Sequence, residues 1–269
     1  PIKTLDLNLK YFGFRWWHLF AVKKKIKSLS FKKFDLIIDL QSKFRNTIIL
    51  KMIPADHFYS STLNFIFCSK KVNFSKVKYS INVTIQNISK LISDDINYQS
   101  YNIDLINKKF HDEACKILPD KNYVGFSLTQ GNLYRKKSWS LDKFIEVAKE
   151  VVKRNDIPVF FIQKEHVEII KLIKNQVKES IFPEEVSSLS GPALVTALST
   201  RLKQAITIDN GIMHMIGLSN IPMIVLFGPT KSSKFAPKIK DIKILDSKKI
   251  YNSPDINKIS TQEVIEFLK

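Results

Sequence analysis

The sequence has 269 residues, 44% of them hydrophobic, which is enough for one large or two modest α/β domains. No apolar run reaches the roughly 18 residues that a membrane-spanning helix requires. Its 43 Lys/Arg against 25 Asp/Glu give a formal net charge of +18, which predicts an anionic partner: nucleic acid, an anionic membrane surface or a phosphorylated substrate.

The aromatic residues argue against nucleic acid. They lie mostly in apolar runs and do not alternate with Lys and Arg, as they do on surfaces that bind single strands. We therefore expect no nucleic-acid partner. An AT-rich coding bias is an alternative source for part of the lysine excess, since Ile, Asn and Phe are also abundant. The two cysteines, Cys68 and Cys115, form no disulfide framework and indicate reduced thiols in a cytosolic protein.

The first predicted element is an amphipathic helix over 14–29. It carries Trp16, Trp17 and three consecutive lysines at 23–25. One interpretation is a basic, aromatic face at a membrane interface or against an acidic glycolipid. The alternative is a solvated helix face with two tryptophans partly in the core.

A strongly apolar strand is predicted over 34–40, followed by a helix over 42–50. Gln41 and Arg45 come directly after the carboxyl end of this strand, where they could contact a ligand. The alternative is that Asp39 and Gln41 only cap the strand and that Arg45 is a surface residue.

Strands alternate with helices in the second half of the chain, which predicts βαβ units and a parallel sheet. A linker is expected at 118–121, and Ser140 is the expected N-cap of the helix after it. The predicted strands cover 123–129, 157–162, 205–208 and 223–227, and further helices are predicted over 81–93, 165–178, 193–202, 212–218 and 261–268.

The stretch 204–230 contains the strongest indication of a ligand site. Asp209 follows a buried strand, and ligands bind at the carboxyl ends of strands in open α/β sheets. The amides of Asn210 and Gly211 would lie at a helix N-terminus, which favours a phosphate, while Asp209 could accept from sugar hydroxyls. His214 follows one turn later. The alternative is that Asp209 and Asn210 merely cap a helix and that His214 is a packed surface histidine.

A second polar stretch precedes Ser140. Thr129 and Gln130 begin a polar loop, and Lys137 and Trp139 end it. A lysine at this position can reach a diphosphate or a leaving-group oxygen as a point charge. Trp139 is predicted to pack the next helix onto the sheet. The alternative is a set of basic residues on a solvated loop.

Three motifs together resemble the lipopolysaccharide heptosyltransferases of glycosyltransferase family 9. They are FDLIIDLQ at 34–41, KSW at 137–139, and DNGIMH at 209–214 followed by FGPT at 227–230. The resemblance extends from about Asp35 to the end of the sequence.

This resemblance implies a GT-B fold, in which two Rossmann-like α/β domains with parallel sheets face each other across a cleft. We expect residues 1–118 to be the remainder of an acceptor-side N-terminal domain, which is incomplete. Residues 119–269 are expected to be a C-terminal domain that binds the nucleotide-sugar donor.

The resemblance also implies an activity: inverting, metal-independent transfer of a heptose or related sugar from an ADP-sugar to a lipopolysaccharide core or lipid A–Kdo acceptor. The partners would be the ADP-sugar, this anionic glycolipid and the cytoplasmic face of the inner membrane, to which the protein would bind peripherally. No metal and no cofactor are expected. The implied acceptor-side residues are Gln41 and Arg45, and the implied donor-binding residues are Thr129, Gln130, Lys137, Asp209, Asn210, Gly211 and His214.

The sequence departs from the family pattern at several positions. Asn210 replaces a hydroxyl residue, Phe227 replaces tyrosine, and Gln163 stands where glycine is usual. In addition, the family's N-terminal strand and glycine–aspartate loop, which carries the proposed general base, have no equivalent here. The expectation is therefore that the general base is missing, and the alternative function is a non-catalytic protein that binds a sugar nucleotide.

Overall fold

The computed structural model describes residues 17–28, 32–76, 81–96, 101–119, 122–128 and 137–269. The chain divides into two compact units, residues 1–99 and 100–269. No helix in these ranges is both long enough and apolar enough to cross a bilayer.

The first unit is built on two parallel strands with a helix between them in the chain. Its described elements are α1 (His18–Ser28), β1 (Phe34–Asp39), α2 (Phe44–Lys51), β2 (Ala55–Ser60) and α3 (Ile81–Ile92). The register of β1 and β2 places Asp39 beside Ser60. Leu91 of α3 is buried in one apolar cluster, and Val22 of α1 packs near Ile49 of α2 in another. The polar carboxyl ends of both strands thus lie side by side.

The second unit is a five-stranded parallel sheet with helices on both faces. Its strands are β3 (Tyr123–Ser127), β4 (Ile157–Phe160), β5 (Gln204–Ile208), β6 (Met223–Phe227) and β7 (Ile242–Asp246). Its described helices are α4 (Lys108–Ile117), α5 (Leu141–Lys153), α6 (Val167–Gln176), α7 (Pro183–Val186), α8 (Pro192–Ser199), α9 (Gly211–Gly217), α10 (Ser232–Phe235), α11 (Ser247–Tyr251) and α12 (Thr261–Ile265).

The core of this unit lies on the two faces of the sheet. Ile206 and Ile208 of β5 face a cluster formed with α5, α6 and α12, whereas Ala205 faces a cluster formed with α4, α8 and α9. Every residue of β5 is buried as a result. An uninterrupted apolar strand is what a parallel sheet covered on both faces requires.

The order of the strands, β4-β3-β5-β6-β7, creates a topological switch point between β3 and β5. After β3 the chain passes to β4, on one side of β3, whereas after β5 it passes to β6, in the opposite direction along the sheet. The connections at the carboxyl ends of these two strands therefore diverge, and a crevice opens where ligands bind in such sheets. Lys137 is in the connection that follows β3, and Asp209 directly follows β5.

The predicted parallel α/β organisation is confirmed, and all four strands predicted in the second half are present. The helix predicted over 14–29 is observed as α1, and Trp16 lies outside the described residues. Ser140 occupies the N-cap of α5, but its side chain forms no capping hydrogen bond. Strand β7 was not predicted, because Lys243 interrupts its apolar run between Ile242 and Ile244, which are half-buried at the edge of the sheet.

The predicted domain boundary at residue 118 stays a prediction. In the structure, α4 packs against α8, and Ala114 and Leu118 share an apolar cluster with Leu198. The compact units consequently divide ahead of α4, between residues 99 and 100.

Candidate functional site

A buried ion pair lies at the switch point of the second unit. The Nζ of Lys137 donates a hydrogen bond to the Oδ2 of Asp209 and another, at 3.2 Å, to the Asp209 carbonyl oxygen. The two side chains are only 11% and 7% exposed. Removing one partner of such a pair leaves the other charge buried without compensation. The ion pair joins the connection after β3 to the end of β5.

Asn210 joins the same two strands by a second contact. Its Oδ1 accepts from the amide of Met213 at 2.9 Å, which is the N-cap bond of α9. Its Nδ2 donates to the Oγ of Ser127, the last residue of β3, at 2.7 Å. The side chain thus caps a helix, as the alternative interpretation held, and also bridges the switch point. A donor-binding role for Asn210 remains a prediction.

The first residue of α9 has open space beside it. A Cβ added to Gly211 would meet no atom within 4 Å, so packing does not require glycine there. By contrast, a Cβ on Gly228, after β6, would lie 2.9 Å from both the Ile256 Cβ and the Pro254 carbonyl oxygen. The space at Gly211 is the room that a ligand needs to reach the backbone.

His214 is exposed on α9, whereas Met213 and Ile216 of the same helix are buried. It forms no hydrogen bond or ion pair with any described residue, so the structure does not join it to the ion pair. Thr129 and Gln130, also predicted to bind the donor, lie outside the described residues.

The residues after Lys137 are anchored in the core. The Trp139 ring meets Phe144 of α5 edge-on at 5.0 Å, and its Nε1 donates to the Ile259 carbonyl at 2.9 Å. Lys143 donates to the same carbonyl at 2.8 Å. Trp139 therefore fixes the start of α5, and with it the backbone two residues from Lys137.

Sequence reasoning did not single out two hydroxyl residues near this edge. Thr207 Oγ1 on β5 and Thr230 Oγ1 after β6 are buried and have no hydrogen-bond partner among the described residues. A buried hydroxyl without a partner needs an explanation, and a ligand is one. Thr230 ends the FGPT motif at the same sheet edge as Asp209, which was the available signal.

In the first unit, the structure brings Gln41 and Arg45 together through a third residue. The Nδ2 of Asn46 donates to the Gln41 Oε1, and the Arg45 Nε donates to the Asn46 Oδ1 at 3.3 Å. Asn46 was not among the predicted site residues, although it lies next to Arg45 in the first turn of α2. These three side chains form a polar group just after β1.

The two sites contain cations, amides and hydroxyls. Among the described residues, no three His, Cys, Asp or Glu side chains are grouped as metal ligands would be. In the second unit, Lys137 supplies a cation and Asp209 a carboxylate at one crevice. This combination suits a ligand that carries both negative charge and hydroxyl groups.

The sequence model of glycosyltransferase family 9 (heptosyltransferase) matches residues 22–265. The chain belongs to glycosyltransferase family 9. Membership makes it a glycosyltransferase, an enzyme that transfers a sugar. A search of curated protein sequences gave no match.

Solved structures of family 9 proteins share the fold of this glycosyltransferase. A family 9 glycosyl transferase from Veillonella parvula aligns with a TM-score of 0.68 at 19% identity, covering 92% of this chain and 76% of that one. The E. coli heptosyltransferase WaaC with ADP gives 0.64 at 15%, covering 94% and 78%. The E. coli ADP-heptose lps heptosyltransferase II gives 0.61 at 14%, covering 93% and 80%.

These likenesses identify the fold class of the glycosyltransferase as that of the GT-B heptosyltransferases, with parallel α/β sheets. The family match runs through both compact units. The resemblance first noted at FDLIIDLQ, KSW and DNGIMH is thus confirmed for the family.

Proposed function

We propose that this glycosyltransferase transfers a heptose or related sugar from an ADP-sugar to an anionic lipopolysaccharide core acceptor of the lipid A–Kdo type. The transfer is inverting and independent of metal. The observation that carries the donor half of the proposal is the buried Lys137–Asp209 pair at the switch point. The E. coli relative of the same fold that was solved with ADP supports the choice of nucleotide.

The diphosphate of the donor shares the Lys137 ammonium with Asp209. An ammonium group has three N–H donors in a compact point charge, so it can be shared between a carboxylate and a phosphate. The open space at Gly211 lets the diphosphate approach the backbone amides at the start of α9. Lys137 and these amides then hold the donor from two sides.

Asp209 recognises the sugar. Its Oδ2 faces Lys137, and its Oδ1 has no hydrogen-bond partner among the described residues. A carboxylate oxygen accepts hydrogen bonds from sugar hydroxyls, and the hydrogen bond from Lys137 holds that carboxylate in one orientation.

The same groups assist the chemical step. When the acceptor hydroxyl attacks the anomeric carbon, the bond to the diphosphate oxygen breaks and ADP leaves with an additional negative charge. Lys137 stabilises that developing charge without moving a proton. A base must still take the proton of the acceptor hydroxyl.

The first test is calorimetric titration of the protein with ADP and ADP-heptose. Lys137→Ala and Asp209→Ala are each expected to weaken ADP-heptose binding by about 1–3 kcal/mol, the loss of one charged hydrogen bond. Lys203→Ala is the matched control. Lys203 pairs with the buried Asp156 at 2.9 Å, but these residues precede β5 and β4 and so lie at the amino edge of the sheet.

Three outcomes separate the alternatives. Binding that Lys137→Ala weakens and Lys203→Ala leaves intact, together with transfer to Kdo–lipid A, supports the proposal. Binding without any transfer favours a non-catalytic protein that binds a sugar nucleotide. No binding of either ligand by the folded wild-type protein contradicts the donor site.

We further propose that the protein works peripherally at the cytoplasmic face of the inner membrane. Trp17, directly before α1, and Phe20 of α1 are 51% and 65% exposed, next to the exposed Lys23 and Lys24. Aromatic and basic side chains on one short helix suit an anionic membrane interface. Co-sedimentation with phosphatidylglycerol vesicles tests this, and Phe20→Ser should reduce the bound fraction whereas the exposed Leu218→Ser should not.

A further inference from the structure

Asp39 forms the centre of a buried hydrogen-bond network at the carboxyl end of β1. This residue is only 2% exposed. Oδ2 accepts from the Thr47 hydroxyl at 2.6 Å and from the Ser60 hydroxyl at 2.9 Å. Oδ1 accepts from the amides of Gln41 and Ser42 at 3.0 and 3.1 Å. One carboxylate therefore connects β1, β2, the start of α2 and the turn that carries Gln41.

This turn has a conformation that needs such support. Ser42 has a φ of 52°, in the left-handed region that costs most non-glycine residues roughly 1 kcal/mol or more. The amide of the same residue is bound by Asp39. The network thus holds Gln41 on a strained turn, and strain of this kind accumulates where a site must be held in one shape.

Asn46 continues the network to the surface. It donates to Gln41 and accepts from Arg45. The amide group of Asn46 therefore fixes the orientation of the neutral Gln41 side chain relative to the cationic Arg45 side chain. Gln and Arg each lose up to about 2 kcal/mol of side-chain entropy when a ligand fixes them. Side chains that are already fixed avoid most of that loss on binding.

We propose that Asp39 and Asn46 are positioning residues for the acceptor. Asp39 holds the turn, Asn46 aligns Gln41 with Arg45, and the aligned pair binds a sugar that carries both hydroxyl groups and a negative charge. The inference rests on the proposed function, because it takes the proposed lipid A–Kdo acceptor to be the ligand of Gln41 and Arg45. It adds two residues that need not touch the acceptor themselves.

The experiment compares two variants with two matched controls in the full chain. Asn46→Ala is paired with Asn107→Ala, which removes the N-cap asparagine of α4, whose Oδ1 accepts from the Lys109 amide at 3.1 Å. Asp39→Asn is paired with Asp246→Asn. Asp246 also ends a strand, is 4% exposed, and accepts from a serine hydroxyl and an amide.

Two readouts are used. The first is the order parameter of the Gln41 side-chain amide from ¹⁵N relaxation, which requires no ligand. The second is the Kd for detergent-solubilised Kdo–lipid A beside the Kd for ADP. We expect Asn46→Ala and Asp39→Asn to lower the order parameter and to raise the acceptor Kd by about five- to tenfold, the effect of roughly one net hydrogen bond. The ADP Kd should stay within about twofold, and both controls should change neither readout.

The possible failures are distinguishable. If the Gln41 amide is equally ordered in all four variants, or if the acceptor Kd is unchanged in Asn46→Ala and Asp39→Asn, the positioning role is wrong. A wild-type protein that binds ADP but not Kdo–lipid A overturns the assignment of the acceptor and leaves the donor site intact. Loss of ADP binding in the wild type instead contradicts the proposed function.

Discussion

Two aspartates at equivalent places in the two units are held in different ways. Asp39 ends β1 and Asp209 follows β5, and both side chains are almost completely buried. Asp39 is surrounded by neutral partners, among them the hydroxyl of Thr47, eight positions away, and that of Ser60 on the neighbouring strand. Asp209 is bound by a cation, Lys137, that is 72 positions away.

The difference indicates that burial at a strand end does not by itself define a ligand site. A carboxylate bound by hydroxyls and amides organises the backbone around it, and its charge is already distributed over several donors. A carboxylate bound by a lysine holds a cation at the crevice, and the ammonium group of that lysine can also bind an anionic ligand. The partner, more than the aspartate, determines what the position does.

The largest effect is expected from breaking the charged pair. Lys137→Met should lower the free energy of unfolding by about 3 kcal/mol, because it leaves Asp209 buried without a cation. The double substitution Lys137→Met with Asp209→Leu should recover most of that loss, since two apolar side chains remove both charges. Urea unfolding followed by circular dichroism measures both values. Additive losses in the double variant would mean that the two residues do not act as a pair.

A substitution at Gly211 tests whether the open space beside this residue is occupied by the ligand. Gly211→Ala should change the free energy of unfolding by less than about 0.5 kcal/mol, since its methyl group meets no atom. It should nevertheless raise the Kd for ADP about tenfold, because the methyl group occupies ligand space. Gly228→Ala is the control, with a stability loss of about 1–3 kcal/mol from its 2.9 Å contacts. Unchanged ADP binding in Gly211→Ala would place the ligand elsewhere.

The neutral environment of Asp39 predicts a smaller stability effect than that of Lys137→Met. Asp39→Asn should cost about 1–2 kcal/mol, because hydroxyls can turn to serve an amide and no cation is left unpaired. The same urea titration gives the value. A loss as large as that of Lys137→Met would show that the Asp39 charge itself is essential and would remove the distinction between the two sites.

The smallest effect concerns a thiol beside the Asp39 network. Cys68 Sγ and the Ser60 backbone are 3.5 Å apart, and burial raises the pKa of this thiol. At pH 8, less of it is thiolate than in an ordinary cysteine, so iodoacetamide should label the exposed Cys115 first. Asp39→Asn should speed labelling of Cys68 by about two- to fivefold through local opening. Peptide mass spectrometry measures both rates, and Cys115 serves as the internal standard.

Much of the second unit could be predicted from the sequence because its strands are uninterrupted apolar runs. The runs at 205–208 and 223–227 are buried on both faces and were found as strands. The short helices α7, α10 and α11 were missed, since four or five residues show no periodicity. Strand β7 was missed because its lysine alternates with isoleucine at the sheet edge.

The candidate site was predicted as two separate motifs and not as a pair. Sequence reasoning put Lys137 and Asp209 each after a strand, but their contact depends on the strand order, in which β3 lies next to β5. For Asp39, the interpretation as a local cap was correct in part, since it binds the amides of Gln41 and Ser42. Its contact with Ser60 depends on the pairing of β1 with β2, which no local pattern reveals.

The hydrogen bond from Trp139 to the carbonyl of Ile259 has a consequence for how the protein forms during synthesis. It joins residues 120 positions apart, and loop closure over such a distance is slow compared with local helix formation. The ribosome makes Lys137, Asp209 and the sheet between them well before residue 259. The backbone next to Lys137 therefore lacks this anchor until translation has passed residue 259, which is later than the synthesis of both members of the ion pair.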